Sequence, residues 1–179
     1  MTISLAVPDL LIARAKSGDV EALEALYRAF ETPVYNLAQR MLRHPEDAED
    51  VLQETFLEVV RSIKAYRGEG HLWGWIRRIA ASKALMRIRR DQVRSEDVFD
   101  EELIEGAQPV GVPVRIDLER AMARLSDTSR AVVWLHDVEG YTHEEIAEMM
   151  GKTVSFSKSQ LARAHTRLRG YLEGEGIAR

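Results

Sequence analysis

The chain has 179 residues, 45% of them hydrophobic, which is enough to bury the core of one ordinary domain or of two small ones. It has no cysteine, which excludes disulfides, thiolate metal sites and cysteine nucleophiles. No run approaches the roughly 18 apolar residues that a membrane span requires, and the N-terminus lacks the basic start and apolar core of a signal peptide. We therefore expect a soluble, cytoplasmic protein without membrane insertion.

The net charge of −4 conceals an uneven distribution of charge along the chain. Residues 1–60 carry net −6 and residues 95–151 net −10, whereas residues 61–94 carry net +8 and residues 152–170 net +5. Two basic segments in an acidic chain indicate two separate contacts with a polyanion and acidic surfaces for a basic partner. The pattern argues against a protein that coats nucleic acid with its whole surface.

Helical periodicity predicts three helices in the first part of the chain. Asp9 is a candidate N-cap for the first helix, and Asp19 for the second. Pro33, which follows a threonine, is typical of the first position of a new helix. A third helix is therefore expected from this proline to the residues just before Pro45, with the apolar stripes of all three helices packed together.

Residues 46–64 are predicted to form a helix with one apolar and one acidic face. Apolar positions recur at helical spacing from Ala48 to Ile63 and form the inner stripe. Its outward side carries a strip with almost no counter-charge, here called the acidic strip: Asp50, Gln53, Glu54 and Glu58. The helix macrodipole explains acids in the first turn, but these residues lie further along. The strip is either a solvated helix face or a surface for a basic partner.

Aromatic rings, glycines and arginines are concentrated between residues 65 and 90. The segment 66–71 is predicted to be a loop, followed by a basic helix in which Trp75 and Met86 face inward and Trp73 is the exposed ring. Stacking rings beside cations suit an unpaired nucleic-acid strand, because each base offers a π-face and each nucleotide a phosphate. The alternative is that these rings belong to the core of an amphipathic helix whose arginines are solvated.

Residues 95–116 are predicted to be a flexible linker. Its first half is acidic, and its second half contains two prolines and two glycines without any period. Because an extended residue spans roughly 3.3–3.6 Å, about 20 residues could separate the flanking domains by on the order of 70 Å. We therefore expect an all-α protein of two small helical domains, a helical bundle over residues 9–94 and a second domain over residues 117–173.

The second domain is predicted to begin near Asp117, with Leu118 facing inward, and to contain a helix-turn-helix. Thr142 and Glu145 form a capping box at the start of a short helix, and Gly151 provides the turn after it. A longer basic helix follows, with Leu161 and Leu168 on its inner stripe, and would enter the major groove of DNA. The alternative is an ordinary helical hairpin, which is disfavoured because no acidic residue occurs between positions 150 and 172.

Several segments, taken in order and spacing, resemble bacterial RNA polymerase sigma factors of the extracytoplasmic-function (ECF) type. They are Asp47–Phe56, Tyr66–Glu69, Trp75–Ala80, Glu139–Tyr141 and Glu144–Ala147. The resemblance implies that the first domain holds the melted −10 promoter element and that the helix-turn-helix reads the −35 element. It also implies that core RNA polymerase (its β′ coiled coil and β subunit), promoter DNA and an anti-sigma factor are the partners.

The resemblance also assigns roles to individual positions. The residues that match contacts to the β′ coiled coil are those of the acidic strip, Asp50, Gln53, Glu54 and Glu58. The residues that match the loop and helix facing −10 DNA are Tyr66, Arg67, His71, Trp73, Arg77, Arg78 and Arg87. The residues that match contacts to −35 DNA are Lys158, Ser159, Ala162, Arg163 and Arg167.

The sequence departs from the family pattern at three positions. Ser126 stands where the family often has proline, and Phe156-Ser157 stands where it commonly has a small residue and a buried valine. Ser157 falls on the inward stripe of the recognition helix. Either the helix begins later, with Ser157 as N-cap and Gln160 completing a capping box, or Phe156 supplies the packing.

Two other classes of function compete with this interpretation. A helix-turn-helix regulator that binds duplex DNA alone would explain residues 117–172, but it leaves the acidic strip and the aromatic loop without a role. An enzyme is disfavoured: His143-Glu144 begins like a zinc-protease motif, but Ala147 replaces the second histidine. The remaining histidines lack metal spacing and the glycines form no phosphate loop, so neither catalysis nor a cofactor or metal is expected.

Overall fold

The structure is a computed structural model that describes residues 7–68, 71–94 and 115–176. Within these ranges the regular elements are eight α-helices, one 3-10 turn and one π-helical turn, and there is no strand. The chain divides into two compact units, Met1–Arg87 and Ile88–Arg179. The predicted all-α class with two small helical units is therefore confirmed. No helix in the described part of the chain has the length and apolarity to span a membrane.

The elements up to the predicted linker are four helices and a short turn. They are α1 (Asp9–Lys16), α2 (Val20–Met41), α3 (Pro45–Ser62), the 3-10 turn Ile63–Ala65 and α4 (Leu72–Arg94). Asp9 was predicted to cap α1, which is wrong, because Asp9 is the first helical residue and Pro8 precedes it without a side-chain cap. Asp19 is confirmed as the N-cap of α2, since its carboxylate accepts from the Ala22 N–H at 3.2 Å.

Helix α2 runs without a break through Pro33, so the prediction of separate second and third helices is wrong. A proline inside a helix costs about 3 kcal/mol, because it lacks an N–H and clashes with the preceding turn. The apolar stripe nevertheless stays in phase, since Phe30, Val34 and Ala38 recur every four residues and are all buried. Burying one large apolar side chain contributes about 1.5–3 kcal/mol, so continuous packing offsets the cost of the proline.

Helices α2 and α3 pack together through the faces that their periodicity predicted. The buried residues of α2 and α3 are Ala22, Leu26, Phe30, Val34, Leu37, Ala38 and Met41, and Ala48, Val51, Thr55, Phe56 and Val59. The Tyr27 and Phe56 rings meet edge to face, with centroids 4.8 Å apart. The inner stripe predicted for α3 is confirmed.

The elements after the predicted linker are four helices and a π-helical turn. They are α5 (Arg115–Ala123), α6 (Asp127–Val133), the turn Trp134–Val138, α7 (His143–Met150) and α8 (Val154–Gly176). The predicted linker lies outside the described residues except for its last two, which begin α5. Leu118 was predicted to face inward, which is wrong, because its side chain is exposed, and Ala121 and Leu125 fill the core instead.

The predicted start and end of α7 are both confirmed. Thr142 accepts from the Glu145 N–H at 3.2 Å, and the Glu145 carboxylate accepts from the Thr142 N–H at 2.8 Å. Gly151 follows the helix with φ 62°, a left-handed conformation that glycine adopts without a Cβ clash. These two signals fix the tight turn between α7 and α8.

Candidate nucleic-acid interface

The two tryptophans at the start of α4 exchange their predicted roles. The Trp73 side chain is only 9% exposed and stacks on Phe30, with centroids 5.8 Å apart and planes within 6°. Trp75 is half-buried, and its ring lies 5.4 Å from the Tyr66 ring at 39°. The prediction that Trp73 is the exposed stacking ring and Trp75 the core ring is therefore wrong.

The orientation of α4 explains this exchange. Its buried face follows Leu72, Ile76, Ala80 and Ala84, spaced four residues apart, whereas Met86, which was predicted to face inward, is exposed. Alanine removes little apolar surface from water by itself, but it lets a neighbouring helix approach closely. A stripe assigned from the large apolar residues alone is consequently turned away from the true packing face.

The candidate loop begins at a buried residue. Tyr66 is 6% exposed, and burial raises the pKa of its hydroxyl. Its ring therefore offers little open surface to a base, and its assignment to −10 DNA stays a prediction. Arg67 and His71, in contrast, are exposed as a contact to nucleic acid requires. Arg78 of α4 is exposed as well, and Arg77 is half-buried.

The acidic strip has counter-charges that its local sequence does not reveal. Arg87 Nη1 lies 3.0 Å from Asp50 Oδ2, and Arg87 Nη2 donates to Asp47 Oδ1. Lys83 Nζ lies 3.6 Å from Glu58 Oε2. The expectation of almost no counter-charge is wrong, because the packing of α4 against α3 brings these bases to the strip. The Asp50 side chain nevertheless stays 55% exposed.

Two apolar residues beside the acidic strip were missed in the sequence. Leu57 is 56% exposed and Val60, in the last turn of α3, is 51% exposed, although the opposite face of this helix is buried. Leu57 lies one helical turn after Gln53, so apolar and acidic groups share one face of α3. The sequence could have revealed them, because neither residue belongs to the apolar stripe predicted to face the core.

The predicted −35 residues lie on the face of α8 that points away from the core. Lys158, Ser159, Ala162 and Arg163 are exposed, and Arg167 is half-buried. Leu161, Ala164 and Leu168 occupy the buried side. The predicted orientation of this helix is confirmed, and its contact with DNA stays a prediction.

Helix α8 does not begin late at Ser157, as the first alternative predicted, and Phe156, to which the second alternative assigned the packing, is half-buried. The helix begins at Val154, and Thr153 Oγ1 accepts from the Phe156 N–H at 3.1 Å. Ser157 therefore lies inside the helix and is not its N-cap. Gln160 forms no capping box with it, and its Oε1 accepts instead from Ser129 Oγ at 3.2 Å.

Three histidines and an aspartate form a cluster between the π-helical turn, α7 and α8. The His136 and His143 rings stack with centroids 4.4 Å apart, and Asp137 lies 2.9 Å from His136 Nδ1 and 2.6 Å from His165 Nε2. Burial alone would raise the pKa of Asp137, but these hydrogen bonds lower it. Burial also lowers the pKa of His143, as do the charges of His136 and Lys158. No cluster of acids and histidines in the described residues is arranged to hold a metal ion.

Each of the two basic segments overlaps a longer stretch of the chain that matches a known protein family. Residues 26–94 match the model of Sigma-70 region 2, and residues 115–168 match that of Sigma-70, region 4. Two solved structures share the fold. CnrH in complex with the cytosolic domain of CnrY has a TM-score of 0.55 at 23% identity, covering 92% of this chain and 96% of that one. The Bartonella quintana sigma factor RpoE, in complex with the anti-sigma factor NepR, has a TM-score of 0.57 at 22% identity, covering 84% and 96%.

The similarity to curated sigma factors extends over most of the chain. The ECF sigma factor SigE of Mycolicibacterium smegmatis is 33% identical over 172 residues, which cover 87% of this chain and 65% of SigE. The ECF sigma factor SigM of Mycobacterium tuberculosis is 31% identical over 165 residues, which cover 90% of this chain and 84% of SigM. The chain therefore belongs to the ECF RNA polymerase sigma factors.

Proposed function

We propose that the chain binds core RNA polymerase through α3, holds the melted −10 element with the loop after α3 and the start of α4, and reads the −35 element with α8. As a sigma factor it directs the polymerase to specific promoters and takes part in initiation. The observation that carries the residue assignment is that both predicted DNA-facing segments are basic and lie within the family matches, one in region 2 and one in region 4.

The polymerase contact is assigned to the acidic strip. A basic coiled coil such as that of β′ would meet Asp50, Gln53, Glu54 and Glu58, with the exposed Leu57 adding apolar area. Because Arg87 and Lys83 already pair with the strip, the partner must compete with them for Asp50 and Glu58. Part of the electrostatic gain of binding is therefore offset by the loss of these internal pairs.

The −10 contact is assigned to Arg67, His71, Arg77 and Arg78, together with the half-buried ring of Trp75. Trp75 replaces Trp73 as the candidate for base stacking, because the Trp73 ring is committed to Phe30. Extruding a base costs a few kcal/mol, and stacking returns about 1–3 kcal/mol per base. Contacts between the chain and the polymerase must supply the remainder.

The −35 contact is assigned to the exposed face of α8. Arg163 can bind a guanine edge with two hydrogen bonds, whereas Lys158, as a compact charge, suits a phosphate. Ser159 and Ala162 lie between them on the same face, and Arg167 extends it by about one turn.

The two promoter contacts are assigned to separate domains. We assign the −10 and −35 functions to domains over residues 9–94 and 117–173 and propose a cytoplasmic protein without catalytic activity of its own. An anti-sigma factor is a proposed partner, because RpoE, whose fold this chain shares, forms a complex with the anti-sigma factor NepR.

The test is reconstitution with core polymerase. Promoters selected from a random library by the holoenzyme should share two short elements and be transcribed specifically, while the isolated chain should bind them weakly. Fluorescence titration of the isolated chain supplies the comparison. Nanomolar, sequence-specific binding to duplex DNA without polymerase would instead indicate a helix-turn-helix regulator.

A further inference from the structure

The candidate −10 loop begins at Tyr66, directly after the 3-10 turn Ile63–Ala65. The Tyr66 N–H donates to the Ile63 carbonyl at 3.1 Å and closes the 3-10 turn that follows α3. Tyr66 itself has an extended backbone, with φ −63° and ψ 117°. The chain therefore changes direction at this residue, and the orientation of the Tyr66 peptide determines where Arg67 begins.

Lys16 holds the junction between the 3-10 turn and the loop from a distant element. Its Nζ, on the last residue of α1, donates to the Tyr66 carbonyl and lies 5.4 Å from the centroid of the ring of the same residue. The side chain of Lys16 is half-buried, and the bond joins residues 50 positions apart. One ammonium group thus contacts both the backbone and the side chain of Tyr66, whose ring in turn contacts Trp75.

Helix α1 is a fixed support for this contact. Arg14 Nε lies 2.6 Å from Asp19 Oδ2, and Arg14 Nη2 lies 3.3 Å from Glu21 Oε2, which ties the end of α1 to the start of α2. Ala15, next to Lys16, is buried. The ammonium is therefore carried by packed structure, although α1 lies outside the part of the chain that matches Sigma-70 region 2.

We propose that Lys16 is a positioning residue for promoter opening: it fixes the first peptide of the −10 loop, so that Arg67, His71 and Trp75 are arranged to receive an extruded base. This inference rests on the proposed function of the loop. Hydrogen bonds from a charged donor are roughly twice as strong as neutral ones, so the contact restricts the junction more than an ordinary turn would. A loop held in its binding conformation loses less entropy when the base enters.

The experiment uses holoenzyme reconstituted with the full chain. Lys16→Met keeps most of the stem and removes the donor, whereas Lys16→Arg retains charge and donors. Lys64→Met is the matched control, because Lys64 is an exposed residue of the 3-10 turn and its loss changes the charge beside the loop by the same amount. We expect Lys16→Met to slow open-complex formation about tenfold, which corresponds to about 1.4 kcal/mol. Core affinity should be unchanged, and the other two variants should stay close to wild type.

A second promoter separates positioning from a general loss of structure. In it, the extruded base is replaced by an abasic site, so that the loop has nothing to receive. Wild type and Lys16→Met should open this promoter at equal rates if Lys16 acts through the loop. An undiminished difference on the abasic promoter, equal rates on the intact one, or an equal defect in Lys64→Met would each overturn the positioning role. Failure of the wild-type holoenzyme to open any promoter would reject the proposed function itself, and the positioning role with it.

Discussion

Ser157 Oγ lies 3.0 Å from His143 Nδ1, and this pair puts a polar contact into the packed face between α7 and α8. Ser157 is 0% exposed and occupies the inward stripe that Leu161, Ala164 and Leu168 continue. A buried hydroxyl without a partner would cost about 1–3 kcal/mol. The histidine on the neighbouring helix removes this cost, which explains how a serine stands where the family commonly has valine.

This pair predicts strong coupling in a double-mutant cycle. His143→Leu should destabilise the chain by about 1–3 kcal/mol, because it leaves the Ser157 hydroxyl buried and unpaired. Adding Ser157→Val should recover much of this loss, since both polar partners are then apolar. Urea unfolding followed by circular dichroism measures all four variants. Additive effects of the two substitutions would show that the contact contributes nothing specific.

The same histidine predicts a pH dependence of stability. Burial, followed by the charges of His136 and Lys158, lowers the pKa of His143 below 6.5, while Glu144 and Asp137 oppose the shift. The unfolded chain then binds a proton more readily than the folded one. The stabilisation is fully present above about pH 6.5 and is lost as the pH falls toward the lowered value.

The measurement compares unfolding midpoints at several pH values between about 7.5 and about 5.5. This range brackets the ordinary histidine pKa of about 6.5. His143→Gln is the control, because its amide can still bond to Ser157 but does not titrate. Wild type should lose stability faster than this variant as the pH falls. Asp137 titrates below this window, since its pKa is lowered from 3.8. Parallel profiles would assign the pH dependence to other groups.

Substitutions of the two tryptophans of α4 should have different effects, one on folding stability and the other on promoter opening. Trp73→Ala should cost about 3–5 kcal/mol of folding stability, because it removes a buried ring from its contact with Phe30. Trp75→Ala should cost much less stability and slow promoter melting, as permanganate footprinting of the holoenzyme would report. Equal melting by wild type and Trp75→Ala would leave the Trp75 ring a purely structural neighbour of Tyr66.

The acidic strip should control affinity for core polymerase. The double variant Gln53→Lys, Glu54→Lys places two positive charges on the strip while leaving the Asp50–Arg87 pair intact. Exposed pairs contribute about 0.2–1 kcal/mol each, and repulsion at a desolvated interface can cost several, so a loss of about tenfold or more is expected. Glu24→Lys, an exposed charge reversal on α2, is the control for positive charge added away from the strip. Unchanged affinity with unchanged helicity would show that the acidic strip is a solvated helix face and does not contact the polymerase.

The exposed face of α8 predicts two distinguishable DNA phenotypes. Arg163→Ala should relax base preference at one or two −35 positions by about 1–3 kcal/mol, because a bidentate contact to guanine is lost. Lys158→Ala should weaken all promoters alike and lower the salt slope by about one. Saturation mutagenesis of the −35 element with each holoenzyme measures both effects. Identical preferences for wild type and Arg163→Ala would show that another residue reads this element.

Local signals were sufficient for several parts of the fold. The capping box of Thr142 and Glu145, the turn at Gly151 and the inner stripe of α3 were all predicted correctly. Each depends on residues within about one helical turn of one another, so the sequence contains the whole interaction. The order of the motifs likewise identified the family, because spacing along a chain is itself a sequence property.

Other features were decided by packing between distant segments. The continuity of α2 through Pro33 depends on an apolar stripe that is buried only in the assembled core. The exchange of Trp73 and Trp75 depends on which face of α4 the core covers, and that face includes small alanines. The charge of the acidic strip depends on Arg87, which is 37 residues from Asp50 in sequence and 3.0 Å away in space. Periodicity reports which side of a helix is apolar, but the partner that covers that side, and the charges it brings, are set only when the helices pack.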